Sequence, residues 1–369
     1  MTDSDPFMQQ ALALAVRATG LSEPNPRVGC VIVAADGRTL LGQGHTQAAG
    51  QAHAEVMALR DAATRGQDVR GATAWVTLEP CSHHGRTGPC CDALAAAGIA
   101  RVVASLADPN PLVAGQGFAR LRAAGVAVEV GPGAEASREL NIGFFSRMVR
   151  KTPWVRMKVA ASLDGRTALD NGQSQWITGE AARADGHAWR ARAGALLTGI
   201  GTVLEDDPLL DVRLAPVAHQ PPLVVVDSRL ETPPAARLFE PERRIFIYTA
   251  ADDAARRPAL EARGAQVVAL PGPGGKVDLA AMLADLAGRE VGELHLEAGH
   301  KLNGSFVREG LVDEFLVYLA PKLLGQGRAM ADFGPLAALE AAPALDFHAV
   351  ERIGADLRVL ARVHGRGRF

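Results

Sequence analysis

Beyond residue 91 the sequence has no cysteine; Cys30, Cys81, Cys90 and Cys91 are the complete set. A disulfide framework would be spread through a secreted chain, so this distribution excludes one and fits a reducing cytoplasm. Aromatic residues are also scarce, at 5% of the chain, and the formal net charge is only -2. Those two shortages argue against nucleic acid as partner, which needs a basic footprint and stacking side chains. No apolar run approaches the roughly 20 residues that span a bilayer. The start, Met1-Thr2-Asp3-Ser4-Asp5, is acidic where a signal peptide is basic. The expectation is a soluble, unprocessed, cytoplasmic protein with a small-molecule partner and no membrane association.

What remains is ordinary globular material: 369 residues, 48% hydrophobic and 22% charged, enough for two cores. Residues 5–20 place Phe7, Met8, Ala11, Leu12, Ala15 and Val16 on one helical face. Val28 to Ala34 and Leu40 to Gly44 flank Asp36-Gly37, a hairpin pattern. A helix over 53–65, a strand over 72–78, a helix over 90–97, a strand over 101–106, a helix over 115–124 and a strand over 126–130 follow. The apolar pattern breaks in the charged stretch Arg147 to Pro153, and a new strand starts at Trp154. This predicts an α/β chain of two domains, 1–149 and 153–369. The second holds strands near 195–199, 223–227, 244–249, 266–270, 293–297 and 311–319, and a terminal pair near 345–353 and 357–363, a mixed sheet ending in a hairpin. No internal repeat is evident, so the halves do different work.

The chemistry concentrates at His53-Ala54-Glu55, Pro80-Cys81 and Cys90. One His and two Cys make an open zinc site, one ion per chain, with a fourth position left for water. Thiolates at helix N-termini are favoured by exposed N–H groups and the helix dipole. Residues two apart on a helix diverge by roughly 200°, so Glu55 is expected to act as a proton carrier beside the metal, not as a ligand. His83, His84 and Cys91 are competing ligands. Cys30 reads as a small apolar residue of a strand, and Asn25 as a turn residue or an amide aimed at a base edge.

With these motifs the chain resembles the bifunctional riboflavin-biosynthesis deaminase/reductase family. The first half carries the resemblance in Asn25 to Val33, His53 to Val56 and Thr77 to Thr87. The second carries it in Lys158 to Arg166, Ser174 to Thr178, Asp206-Asp207-Pro208 and Glu297-Ala298-Gly299. Eight residues separate Cys81 from Cys90, a longer insert than in the wider zinc-deaminase pattern. The resemblance implies a cytidine-deaminase-like α/β/α domain followed by a dihydrofolate-reductase-like α/β domain. The first would hydrolyse the ring amino group of a diaminopyrimidinone bearing a ribose phosphate, with Glu55 as catalytic residue and His53, Cys81 and Cys90 on zinc. The second would pass hydride from NADPH to the ribose, leaving a ribityl chain.

By the same resemblance, cofactor contacts fall to Ala160, Trp176, Thr202, Asp206, Ser228, Gly299, His300, Lys301, Leu302, Asn303, Gly304 and Ser305. The 299–305 stretch is expected to be a loop whose backbone N–H groups hold phosphate. Substrate contacts fall to Ser174, Arg190, Leu210, Arg213 and Glu297. Lys158 is a further candidate, against the plain reading of a strand-edge charge. Gly199-Ile200-Gly201 is only a fragment of a dinucleotide fingerprint. The chain departs from the family at Gly88, where a second Pro is usual, and in the polar 299–304 stretch. Oligomeric state stays open, a homo-oligomer being one option. Two other classes compete: a nucleic-acid or nucleoside deaminase with an accessory domain, and a structural zinc protein, which leaves Glu55 without a purpose.

Overall fold

A computed structural model describes residues 5–82, 88–111, 113–251 and 253–369. The chain divides into two compact units, Met1–Arg150 and Lys151–Phe369. Among the described residues no helix is long and apolar enough to cross a membrane.

The first unit opens with α1 (Pro6–Val16), capped by the Asp5 carboxylate, which accepts from the backbone N–H groups of Phe7 and Met8. Its buried stripe is Met8, Ala11, Leu14 and Ala15, while Val16, expected inside, is exposed because the helix ends there. The predicted hairpin is β1 (Gly29–Val33) and β2 (Leu40–His45). Next come α2 (Ala54–Thr64), β3 (Thr73–Val76), α3 (Cys90–Ala96), β4 (Arg101–Ala104), α4 (Gln116–Ala123) and β5 (Ala127–Val130). Two helices not expected from the sequence, α5 (Ala134–Leu140) and α6 (Ile142–Arg150), close the unit. The charged stretch at 147–151 is in part the basic last turn of α6, where cations suit the helix dipole. The sheet order is β2-β1-β3-β4-β5, with β1 antiparallel to both neighbours and β3, β4 and β5 parallel. Parallel pairing needs helical crossovers, and these bring the starts of α3 and α4 to the ends of β3 and β4. Helix α2 lies directly on β2 because Gly42 and Gly44 present no side chain there; a Cβ on either would strike the backbone of Ala58.

The second unit begins with β6 (Trp154–Ser162) and β7 (Arg166–Leu169), then α7 (Glu180–Arg192), β8 (Ala195–Gly199), α8 (Ile200–Asp206) and β9 (Leu223–Val226). It continues through β10 (Ile245–Thr249), α9 (Arg257–Glu261), β11 (Ala265–Ala269), α10 (Leu279–Gly288), β12 (Glu293–Leu296) and α11 (His300–Arg308). Strands β13 (Glu314–Ala320), β14 (Gly327–Ala329), β15 (Leu345–Ile353) and β16 (Asp356–Val363) finish it. Nine strands form one mixed sheet, β11-β10-β9-β8-β12-β6-β13-β16-β15, parallel from β11 to β13 and closed by the expected antiparallel hairpin. One apolar cluster joins alternate residues of the central strands to α10 and Phe306 of α11. A second occupies the opposite face, around Leu196, Val225 and Ile247. The short pair β7 and β14 was not foreseen; it joins segments far apart in sequence. Lys158 is no edge charge, because β6 sits between β12 and β13 inside the sheet.

Candidate active sites

In the first unit the three predicted donors meet. His53 is the residue before α2, with extended backbone (φ -77°, ψ 170°), Cys90 is the first residue of α3, and Cys81 follows β3 through Thr77-Leu78-Glu79-Pro80. The Nδ1 of His53 lies 3.5 Å from Cys81 Sγ and 3.4 Å from Cys90 Sγ. All three donor atoms fall within 4.8 Å of one another. Tetrahedral zinc, with Zn–S near 2.3 Å and Zn–N near 2.0–2.1 Å, gives S···N edges of roughly 3.6 Å, so the donor set fits that ion.

Electrostatics at the cluster match its geometry. Hydrogen bonding from the Cys90 thiol, then His53, carries the Cys81 thiol down to about 4 against the effect of burial. The Cys90 thiol is pushed up, first by its hydrogen bond to Cys81 and then by burial. The N–H of Cys90, at the first residue of α3, donates to Cys81 Sγ at 3.4 Å. Cys91 turns elsewhere: its Sγ meets Asp92 Oδ1 at 3.7 Å, and burial first, then Asp92, lifts its thiol to about 11. Cys30 is buried in β1, its thiol raised by burial and then by Glu55, as suits a packing residue. His83 and His84 lie outside the described residues.

Glu55 corrects one step of the sequence argument. Because α2 starts at Ala54, His53 is not on the helix and the 200° divergence does not apply. The Glu55 carboxyl turns inward and is only 3% exposed. Burial first and Cys81 second raise its pKa from 4.5 to about 7. A solvated carboxylate at a helix start is therefore excluded, and a group poised to exchange protons near neutrality remains.

Glu79 was legible only as part of a motif. Its buried carboxylate accepts four backbone N–H groups, from Asp108 (3.1 Å), Gly115 (2.9 Å), Gly117 (2.9 Å) and Phe118 (3.2 Å). It thus ties the start of α4 to the segment that delivers Cys81. Close by, Asp108 is raised to about 7, mainly by burial. Asn25 is in a turn: its N–H donates to Ser22 O, and its own carbonyl accepts from Ser22 Oγ.

The second unit contains a cleft of 1580 Å³ lined from β6, α7, α8, α11 and the loops between them. Of the reductase residues expected from the sequence, all but Gly304 line it. Gly304 faces away, packed so closely on the Asp332 backbone that a Cβ would overlap it. The 299–305 stretch is not a loop: Gly299 is the N-cap and His300 to Ser305 lie within α11. Neither α8 nor α11 has a side-chain cap, so both present free backbone N–H groups at the cleft. The lining carries ten Lys or Arg against seven Asp or Glu, in a chain whose net charge is -2, so the cleft favours an anionic ligand.

Glu297 is the electrostatic centre of the cleft. Arg190 grips it bidentately (Nε to Oε1 2.6 Å, Nη2 to Oε2 2.9 Å), Lys158 Nζ stands 3.4 Å away, and the His295 Nε2–H donates to it at 3.1 Å. Burial would raise its pKa, yet Arg190, then Lys158, hold it well below the usual carboxylate range. Arg190 also donates to the Asp211 carbonyl at 2.9 Å, so it is a fixed element of the wall. His187 was not predicted; its Nδ1 accepts the Arg213 N–H at 3.3 Å, and burial, then Arg190, lowers its pKa to about 4. Trp176, 62% exposed, stacks on the Arg183 guanidinium at 4.6 Å.

The description "Cytidine and deoxycytidylate deaminase zinc-binding region" matches residues 1–106, and "RibD C-terminal domain" matches residues 153–359. The riboflavin biosynthesis protein RibD of Escherichia coli K12 is 43% identical over 364 residues, covering 95% of this chain and 97% of its own. That of Aquifex aeolicus is 40% identical over 351 residues, covering 95% and 96%. Among solved structures, Acinetobacter baumannii RibD superposes with a TM-score of 0.87 at 40% identity, covering 96% of this chain and 97% of its own. A diaminohydroxyphosphoribosylaminopyrimidine deaminase/5-amino-6-(5-phosphoribosylamino)uracil reductase from Thermotoga maritima also gives 0.87, at 33% identity and 97% of each chain. The architecture is thus a cytidine-deaminase-like unit followed by a reductase unit on one polypeptide. With matches spanning nearly the full length of both partners, the chain belongs to the RibD family, the bifunctional deaminase/reductases of riboflavin biosynthesis.

Proposed function

We propose that the unit built on residues 1–149 deaminates a diaminohydroxypyrimidine carrying a phosphoribosylamino group, and that the unit from 153 to 369 reduces the ribose of the product to a ribityl chain with NADPH. The observation that carries the first half is the convergence of His53, Cys81 and Cys90 beside the buried carboxyl of Glu55. When bound, zinc supplies a Lewis acid that lowers the pKa of water toward neutrality. His53, Cys81 and Cys90 hold it. Glu55 takes a proton from the attacking water and delivers it to the departing amine, so that water and amine become carbonyl and ammonia.

In the second unit NADPH, when bound, supplies the hydride that opens the sugar. The free N–H groups at the starts of α8 and α11 are suited to its phosphates, and Thr202, Asp206, Ser228 and Lys301 line its path. Arg190 and Arg213 are suited to the sugar phosphate. Glu297, held ionised, accepts hydrogen bonds from the substrate's hydroxyls. Cysteines used to hold zinc, with no disulfide among the four, suit a reducing cytoplasm. The edge strand β15 leaves Leu345, Phe347 (76% exposed) and Val350 uncovered, which supports a homo-oligomer formed through that edge. Light scattering of wild type and Phe347→Glu tests it: a dimer dissociated by the substitution is expected, and a wild-type monomer contradicts it. Supplying the pyrimidine phosphate with NADPH and following ammonia and cofactor oxidation tests the two-step reading. Failure to release ammonia from zinc-loaded protein refutes it.

A further inference from the structure

Helix α4 provides no metal donor and no predicted site residue, yet it is fastened to both segments that carry the cysteine donors. On the Cys81 side, the Glu79 carboxylate receives the N–H groups of Gly115, Gly117 and Phe118. Gly117 also packs on the Pro80 carbonyl so closely that a Cβ would overlap it. One turn later, Arg120 reaches out with its whole guanidinium. Its Nη1 donates to the carbonyl of Ser82, the residue after Cys81, at 3.2 Å. Its Nε and Nη2 take the two oxygens of Asp92, two residues after Cys90, at 2.6 and 2.7 Å.

Stability does not account for this arrangement. The Arg120 and Asp92 side chains are 48% and 41% exposed, and an exposed ion pair adds about 0–1 kcal/mol. What the planar guanidinium supplies is geometry: three donors in a fixed fork, two on one partner and one on the other. The partners belong to the two chain segments whose separation sets the distance between Cys81 and Cys90.

We propose that Arg120 is a positioning residue of the zinc site, holding the Cys81 and Cys90 segments in register from outside the donor shell through Ser82 O and Asp92. The proposal rests on zinc occupying the three-donor cluster. Groups hydrogen-bonded directly to metal ligands change affinity by roughly 10–100-fold when removed; Arg120 acts from the neighbouring residues Ser82 and Asp92, so the lower end of that range is expected.

The test uses the full-length, zinc-loaded protein, with zinc content measured first and zinc release to excess chelator followed for wild type, Arg120→Ala, Asp92→Ala and the double variant. The expected result is release about tenfold faster in each single variant and no faster in the double variant than in either single one, because the two residues act as one link. The calorimetric midpoint of the zinc-free chain should stay within about 3 °C of wild type, in line with an exposed pair. Release at the wild-type rate in Arg120→Ala overturns the proposal. So do additive effects in the double variant, or a large fall in the zinc-free midpoint. A wild type that takes up no zinc overturns both this proposal and the deaminase reading, whereas a zinc-binding wild type with insensitive variants overturns this one alone.

Discussion

Replacing Glu55 by Gln separates proton transfer from metal binding. The carboxyl is buried, and burial first, then Cys81, raises its pKa from 4.5 to about 7. A carboxyl raised toward neutrality can serve both as the base that takes a proton and as the acid that returns it. Glutamine keeps the shape but can do neither. General acid–base catalysis contributes about 10²–10⁴-fold, which is about 3–5 kcal/mol of barrier. Ammonia production, followed in a coupled assay, should fall by that factor. Zinc content should stay at one per chain, since its donors are His53, Cys81 and Cys90, and NADPH oxidation with the deaminated intermediate should be unchanged. Ammonia release within tenfold of wild type, or loss of zinc, would refute the role given to Glu55.

Cys81→Ser should lose zinc and ammonia release together while still oxidising NADPH on the deaminated intermediate; absence of that oxidation would count against units that work separately. Glu297→Gln leaves Arg190 and Lys158 without their shared counter-ion. Removing one partner of a buried pair costs about 3–5 kcal/mol, so reductase activity and urea resistance should both fall. The same carboxylate makes wild type acid-sensitive in a defined direction. Its folded pKa lies below the unfolded value, so its contribution is complete above roughly pH 4.3 and declines as pH falls toward the lower folded pKa. Urea midpoints of wild type and variant should therefore converge on acidification, and a constant difference would contradict the assignment. Gly304→Ala, away from the cleft, should destabilise the chain by about 1–3 kcal/mol through overpacking on Asp332, with the KM for NADPH little changed in whatever fraction folds.

The clustering of His53, Cys81 and Cys90 was readable from sequence because zinc chemistry restricts residue types and because two of the three stand at the start of apolar helical patterns. The strands of the second unit were readable for a similar reason: runs such as Leu223–Val226 are buried on both faces and leave little alternative. The role of Glu79 was not readable, since its partners are backbone groups 29 to 39 residues onward. The loop expected at 299–305 rests on the family resemblance and not on the local pattern, and the structure has α11 there instead. Gly304 serves close packing inside the helix, which nothing in the local pattern reveals. The inward turn of Glu55 depended on where α2 starts, a difference of one residue that lies within the ordinary uncertainty of a helix boundary.

The central claim is that two different sites on this one chain act in succession on one small molecule. Incubating zinc-loaded protein with the diaminopyrimidine ribose phosphate and NADPH, while recording ammonia and cofactor oxidation in the same vessel, tests it most directly. One ammonia released and one NADPH oxidised per substrate are expected, with ammonia first and NADPH oxidation abolished by Glu55→Gln until the deaminated intermediate is added. Cofactor oxidation from the undeaminated substrate in that variant, or ammonia without any later oxidation in wild type, would contradict it.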